Sequence, residues 1–474
     1  MSSTHLHRRK LLQFAGGSLA AALGAGGVSL VMPRPAQAQS GYKALVCLFL
    51  YGGNDGTNMV VPNDVSRHNQ YQSVRGALAL PRSSLVSLVG TDFGLHPAMS
   101  ALAPAWAAGS LAPVFNVGPL YAPVSKSELR NAAASSPLVP DSLFSHSDQQ
   151  VLWETATTSS LERTGWGGRA ANTLGVGSPV ISVGGNGRFG LSSLSAPLVL
   201  PAPGSTFGLE GLGDPWTPVA QRKAALEVLY NQAQGNTLTD VYAQRQREAM
   251  TVASRLSSLV KVLPKDGVAA AIDAAFAPLT SAKGGLTTHL GAQLYQIAKL
   301  IDGRVTVQGN RHIFFAQMGG FDTHGNQVST SSQTGDHALL LKELADAMAC
   351  FQAAMVALGL SDQVTLFTQS DFGRTFKPNS SNGTDHAWGN HQLVMGGAVQ
   401  GGVTHGVYPD LVLGGPSDIG LDAWEQHGRW IPSSSVDQYA ATLLGWMGAN
   451  DSQLNAVLPN LPNFGSTRSL GFMG

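Results

Sequence analysis

The sequence predicts an α/β protein built on an open, mostly parallel sheet. Three apolar runs carry that expectation: Lys43 to Tyr51 (KALVCLFLY), Arg311 to Met318 (RHIFFAQM) and Val364 to Thr368 (VTLFT). Each is rich in β-branched or aromatic residues and gives way to a turn bearing Gly and Asp, as buried strands do. Between the second and third, Asp336 to Leu358 has the spacing of an amphipathic helix. Strand, helix, strand in that order is a βαβ unit, whose strands run parallel as neighbours.

Ligands of such sheets bind in the crevice beyond the carboxyl ends of the strands. The first run enters Gly52-Gly53-Asn54-Asp55-Gly56, and the second enters Gly319-Gly320-Phe321-Asp322-Thr323-His324-Gly325. The third leads to Asp371-Phe372-Gly373-Arg374, then through a polar loop to Asp385-His386 and His391, ahead of the apolar run Leu393 to Gly397. These turns bring Asp55, Asp322 and Asp371 to one rim, with His324, Asp385, His386 and His391 beside them. Mixed carboxylate and imidazole donors suit zinc or manganese, whereas carboxylates alone favour magnesium or calcium. The alternative is a set of rim carboxylates neutralised by basic side chains. Arg374 is placed either to pair with one of them or to meet a phosphate or sulfate oxyanion.

Residues 1–38 read as an export signal. Arg8-Arg9-Lys10 precedes the small, apolar stretch Leu11 to Met32, and Ala36-Gln37-Ala38 offers a cleavage site. The paired arginines point to twin-arginine export, hence to the export machinery as a partner and a periplasmic or secreted location. Residues 39–474 then form one α/β domain, and no later stretch approaches the roughly 18 unbroken apolar residues of a membrane span. Cleavage removes Arg8, Arg9, Lys10 and Arg34 and no acidic residue, so a chain of net charge zero becomes one of −4. That balance argues against nucleic acid as a partner. Cys47 and Cys350, the two cysteines, fall inside a strand and a helix and read as small buried residues.

The remaining chain divides simply. His96, just before Pro97, reads as a cap or a packed imidazole. In Ser145-His146-Ser147-Asp148-Gln149-Gln150, Ser147 and Gln150 fit a capping box, while Ser145 or Ser147 at a helix start is equally placed to act as a nucleophile. Pro179 to Val183 reads as a short strand, and no dinucleotide fingerprint follows it. From about 215 to 301 the pattern is helical, an insertion beside the sheet. His337 at the start of the 336–358 helix reads as structural, and Ser433 to Gln438 as the cap of a final helix.

Four motifs in this order, Gly-Gly-Asn-Asp-Gly, Gly-Phe-Asp-Thr-His-Gly, Ser-Asp-Phe-Gly-Arg-Thr and Gly-Thr-Asp-His, resemble a bacterial family. It is domain of unknown function fifteen-oh-one, common on twin-arginine-exported proteins and grouped with the alkaline-phosphatase-like superfamily. The resemblance covers nearly the whole mature chain. It implies a doubly wound, alkaline-phosphatase-like sheet and a site for one or two divalent ions (zinc, manganese, magnesium or calcium). Asp55 matches the superfamily's first metal Asp and Asp322 the next, with His324 two residues on. Asp371 sits where an Asp-His pair belongs, but Phe372 replaces the His, so His386 or His391 would supply the imidazole. Ser145 is the better match to the nucleophile and Ser147 the second. The activity implied is exported, metal-dependent hydrolysis of phosphate or sulfate esters, on an anionic ester or glycan substrate such as an envelope polymer. The alternative is a non-catalytic, metal-containing polysaccharide-binding or assembly protein of the envelope.

The export reading has a direct test. Changing Arg8 and Arg9 together to Lys should hold the precursor in the cytoplasm, because that pathway reads the guanidinium pair; undiminished periplasmic recovery would refute it.

Overall fold

After Lys43 the strand Lys43–Leu50 (β1) has no polar side chain, and every residue from Ala44 on is buried. Such a strand belongs in the middle of a sheet covered on both faces. The computed structural model puts it there; it describes residues 41–133, 135–208, 217–232 and 235–474, so residues 1–38, read above as an export signal, lie outside the described residues. The other strands are Val60–Pro62 (β2), Val86–Ser87 (β3), Phe93–Leu95 (β4), Leu111–Gly118 (β5), Ile181–Ser182 (β6), Leu198–Val199 (β7), Arg311–Met318 (β8), Val364–Ser370 (β9), Asn390–Met395 (β10), His405–Gly406 (β11) and Ser434–Ser435 (β12). The central sheet runs β11-β5-β10-β9-β1-β8-β6-β7, with β12 also on β5, while β2, β4 and β3 make a small separate sheet.

The fold is therefore α/β with a mixed, mostly parallel central sheet. One expectation is corrected. β8 and β9 are parallel as expected, but they are not neighbours, because β1 lies between them and pairs with both. β8 carries His312 and Gln317, and β9 carries Thr365, Thr368 and Gln369, so the purely apolar β1 takes the slot with least access to water. β10 runs antiparallel to both β9 and β5.

Six helices cover the sheet or supply residues near its strand ends: Val65–Arg75 (α1), His146–Thr155 (α2), Trp166–Thr173 (α3), His289–Asp302 (α4), Asp336–Ala357 (α5) and Val436–Met447 (α6). Ala44, Val46, Leu48 and Leu50 face one core with Leu294, Ile297, Leu344 and Met348 of α4 and α5. Leu45, Cys47 and Phe49 face the other, with Trp166 of α3 and Tyr439 and Leu443 of α6. Each large side chain so buried is worth about 1.5–3 kcal/mol, and the period-two alternation delivers this on both sides of one strand. The helical stretch from about 215 to 301 holds Thr217–Asn231, Thr237–Lys261, Ala270–Ala275 and most of α4. Lys299 ties α4 to the end of the second of these, its Nζ donating to the carbonyls of Leu259 (2.8 Å) and Val262 (2.6 Å).

Local readings fare variously. His96 is a cap, its Nδ1 accepting from Ala98 N at 3.1 Å, but the turns after it are 3₁₀ and then a short helix. Ser435 and Gln438 form a capping box at α6, though a further helix, Asp451–Val457, follows. Both cysteines are buried and unpaired. No helix among the described residues is long and apolar enough to cross a membrane.

One buried acid makes stability depend on pH. Asp437, in the first turn of α6, is fully buried, and its Oδ1 accepts the Asn460 N–H at 3.1 Å. Burial pushes its carboxyl up to about 8, against the opposing pull of Asn460 and the Arg169 charge. The unfolded chain ionises it near 4. Between those values the folded state holds a proton that the unfolded state lacks, so stability falls as pH rises. Asp437→Asn should remove that slope: the melting temperature of the natural protein should drop relative to the variant from pH 5 to pH 9. Parallel profiles would mean the acid is not neutral in the fold.

Candidate metal centre

Three strand ends and one helix start build the site. After β1 the backbone turns through Gly52 and Gly53 at φ +111° and +76°. A Cβ on Gly52 would sit 2.5 Å from Asp322 N, and one on Gly53 would enter the Phe372 ring. Glycine is what lets the ends of β1, β8 and β9 touch. The chain after β9 folds back on itself, with Gly373 N donating to Trp388 O (3.1 Å), Ala387 N to Gly373 O (2.8 Å) and Thr375 N to Asp385 O (2.9 Å). This ribbon sets His386 across from Arg374. It also clasps the chain after β8, through Thr384 N on Thr323 O (3.1 Å) and Asn379 Nδ2 on His324 O (2.8 Å).

Four side chains converge there: His146, the first residue of α2, with Asp322, His324 and His386. Each imidazole is held by its Nδ1 on an acceptor. His146 donates to Asp371 Oδ2 (2.8 Å), His324 to Asp385 Oδ1 (3.0 Å) and His386 to the Phe144 carbonyl (2.5 Å). A carboxylate or a carbonyl can only accept, so these bonds place the proton on Nδ1 and leave the Nε2 lone pair facing inward. The Nε2 atoms of His146 and His324 each lie 3.2 Å from Asp322 Oδ1, and that of His386 lies 3.7 Å from it. The Nε2 atoms of His324 and His386 are 2.7 Å apart.

Four electron pairs pointed at one another repel unless positive charge sits among them, whether protons or a cation. Metal–nitrogen and metal–oxygen bonds of 2.0–2.1 Å in a tetrahedron would separate the donors by about 3.4 Å, and the observed spacings bracket that value. Anchoring the far nitrogen of each ligating imidazole is also how metal sites fix tautomer and ring direction. These residues could hold a metal ion. The electrostatics are graded. The bond to Asp371 raises the His146 pKa despite burial, whereas burial lowers that of His386. Burial alone would raise the Asp322 carboxyl, but the Arg374 hydrogen bond and charge outweigh it and hold it low.

Of the residues picked from the sequence as metal ligands, Asp322, His324 and His386 come together. Asp371 and Asp385 stand behind the imidazoles and orient them. Asp371 Oδ2 also accepts from Gln150 Nε2 (3.0 Å) and Gly52 N (3.1 Å), and Asp385 from Asn379 Nδ2 (3.0 Å). Asp55 is buried apart from the cluster. Its carboxylate pairs with Arg75 of α1, accepts from Gln327 Nε2 (2.6 Å) and caps the short helix Gly56–Met59 at Asn58 N (3.2 Å). His391 lies in the core between Phe115 and Tyr408, accepts from Asn116 N at 3.1 Å, and burial pushes its pKa down to about 3.

The helix start also differs from expectation. Ser145, not Ser147, is the cap residue of α2, and its side chain makes no capping bond. The Oγ atoms of the two serines lie 3.3 Å apart, and Gln150 turns to Asp371 instead of closing a capping box. Arg374 does pair with a rim acid, its Nη2 2.5 Å from Asp322 Oδ1. Sequence reasoning passed over His146. No spacing marks it, because its partner Asp371 is 225 positions away.

The family described as "Protein of unknown function (DUF1501)" matches residues 42–418. The chain belongs to that family. The matched span of this DUF1501 protein contains all four converging residues, together with Asp371 and Asp385. No curated protein matches the chain.

Titration with zinc against a competing chelator tests the set. His146→Ala should lose a donor and weaken binding sharply, and Asp371→Asn should weaken it by about 10- to 100-fold by loosening His146. Ser147→Ala should bind as the natural protein does. Unchanged affinity in His146→Ala would remove that residue from the centre.

Proposed function

We propose that this chain is an exported hydrolase of phosphate or sulfate esters, acting on a glycan or envelope polymer with one divalent ion. The inward convergence of three Nε2 atoms and Asp322 Oδ1 carries this reading. A site dominated by imidazole favours zinc or manganese over magnesium or calcium. The side chains of Asp322 and His324 are 49% and 45% exposed, so a substrate can reach the centre. The likeness to the alkaline-phosphatase-like superfamily supports the ester chemistry. A single ion is favoured by Asp55, whose oxygens already serve Arg75, Gln327 and Asn58 N, and by Asp371, whose Oδ2 already serves His146, Gln150 and Gly52 N.

When bound, the ion would supply Lewis-acid polarisation of an ester oxygen and lower the pKa of a hydroxyl or water. The chain's own residues do the rest. Asp371, Asp385 and the Phe144 carbonyl aim the imidazoles, and Arg374 fixes Asp322. Ser145 and Ser147 flank His146 without a capping bond, and Ser145, next to His146 at the helix start, is the first choice as nucleophile with Ser147 the second. A second reading, a non-catalytic metal-containing binding protein, draws on a different observation. Four protein donors are the number that closes a tetrahedral structural site.

A panel of aryl phosphates and sulfates, offered to zinc- or manganese-loaded protein, separates the two. Turnover should be lost in His324→Ala and fall at least roughly 100-fold in Ser145→Ala, the scale for removal of a key catalytic group. Absence of turnover with the ion bound would favour the binding protein.

A further inference from the structure

Two arginines border the centre, and they are not equivalent. Arg374 is spent. Its Nε donates to Gly53 O (2.8 Å), its Nη1 to Thr384 O (3.1 Å) and its Nη2 to Gly52 O and Asp322 Oδ1, with the side chain fully buried. An oxyanion could use this guanidinium only by stripping buried carbonyls of their donors, which costs more than it returns. Arg374 is a strut.

We propose that Arg429 binds the anionic group of the substrate, an inference that rests on the hydrolase reading above. Its backbone is fixed by Asp418, whose Oδ1 accepts from Arg429 N at 3.1 Å, and by Ile419 N on Arg429 O at 3.0 Å. Its Nε donates to the His386 carbonyl at 2.9 Å, and its guanidinium lies over the Phe144 ring, 4.8 Å from the centroid. Phe144 and His386 are themselves joined, the carbonyl of one accepting from Nδ1 of the other. Arg429 thus straddles the two segments that deliver His146 and His386. Its charge reaches Asp385, which orients His324.

The half-buried guanidinium is gripped by one nitrogen and one face, and no hydrogen bond or ion pair among the described residues engages Nη1 or Nη2. That leaves the two-pronged edge that matches two oxygens of a phosphate or sulfate group. Lysine would keep the charge but lose the Nε anchor, the stacked plane and the paired donors.

Inorganic phosphate and inorganic sulfate are the probes, titrated calorimetrically into zinc-loaded protein. Arg429→Gln should weaken phosphate binding at least about 10-fold, with Arg429→Lys recovering only part, while zinc affinity stays unchanged. With an aryl phosphate, KM should rise more than kcat falls. Equal phosphate affinity in Arg429→Gln and the natural protein would overturn the inference. So would loss of zinc along with phosphate, because Arg429 would then be only a tie between two loops. The two readings fail separately. Ester turnover with a KM indifferent to Arg429 leaves the hydrolase and removes this role. Arg429-dependent phosphate binding without turnover keeps the anion site and removes the hydrolase.

Discussion

A buried carboxylate costs several kcal/mol unless donors surround it, and Asp371 at the end of β9 is completely buried. One of its oxygens collects three donors from two places: Gly52 N beyond β1, and His146 Nδ1 with Gln150 Nε2 on α2. His146 and Gln150 are four apart, so both point from one face of the helix. The need to neutralise this one group therefore draws α2 down onto the strand ends. It also delivers an imidazole whose free nitrogen meets Asp322.

Arginine handles the other rim acids. Asp55 is neutralised by Arg75 inside the protein, so that part of the rim follows the expectation of carboxylates paired with basic side chains. Asp322 is shared: Arg374 holds it from beneath, and three imidazoles face the same oxygen from above. Phe372 fits this division of labour. Its ring packs against His146 and His386, with centroids 4.7 and 4.6 Å apart, and so keeps two of the imidazoles upright. Where the superfamily resemblance would place another imidazole, the chain has a wedge that steadies those it has.

Much of the scaffold was legible in the sequence because its signals are local. The apolar runs of β1, β8 and β9 announce strands through composition, and the glycines and acids after them mark the rim. Asp322, His324 and His386 could be picked out because each sits in a short motif beside a strand end. The apolar purity of β1 even contained its central position, although the βαβ rule pointed to β8 and β9 as neighbours.

What the linear chain could not contain was which polar groups share a partner. His146 and Asp371, His324 and Asp385, Asp55 and Arg75 all look alike as letters, since charge pairing depends on distance through space and not along the chain. Tertiary structure alone decided that Asp55 is neutralised within the protein and that Asp371 and Asp385 orient imidazoles from behind. It alone decided that His391 is core and that a histidine hidden between two serines completes the cluster. The sequence by itself determined the strands and the chemistry available at their ends; the three-dimensional packing assigned each donor to its acceptor, because burial makes every unpaired charge expensive.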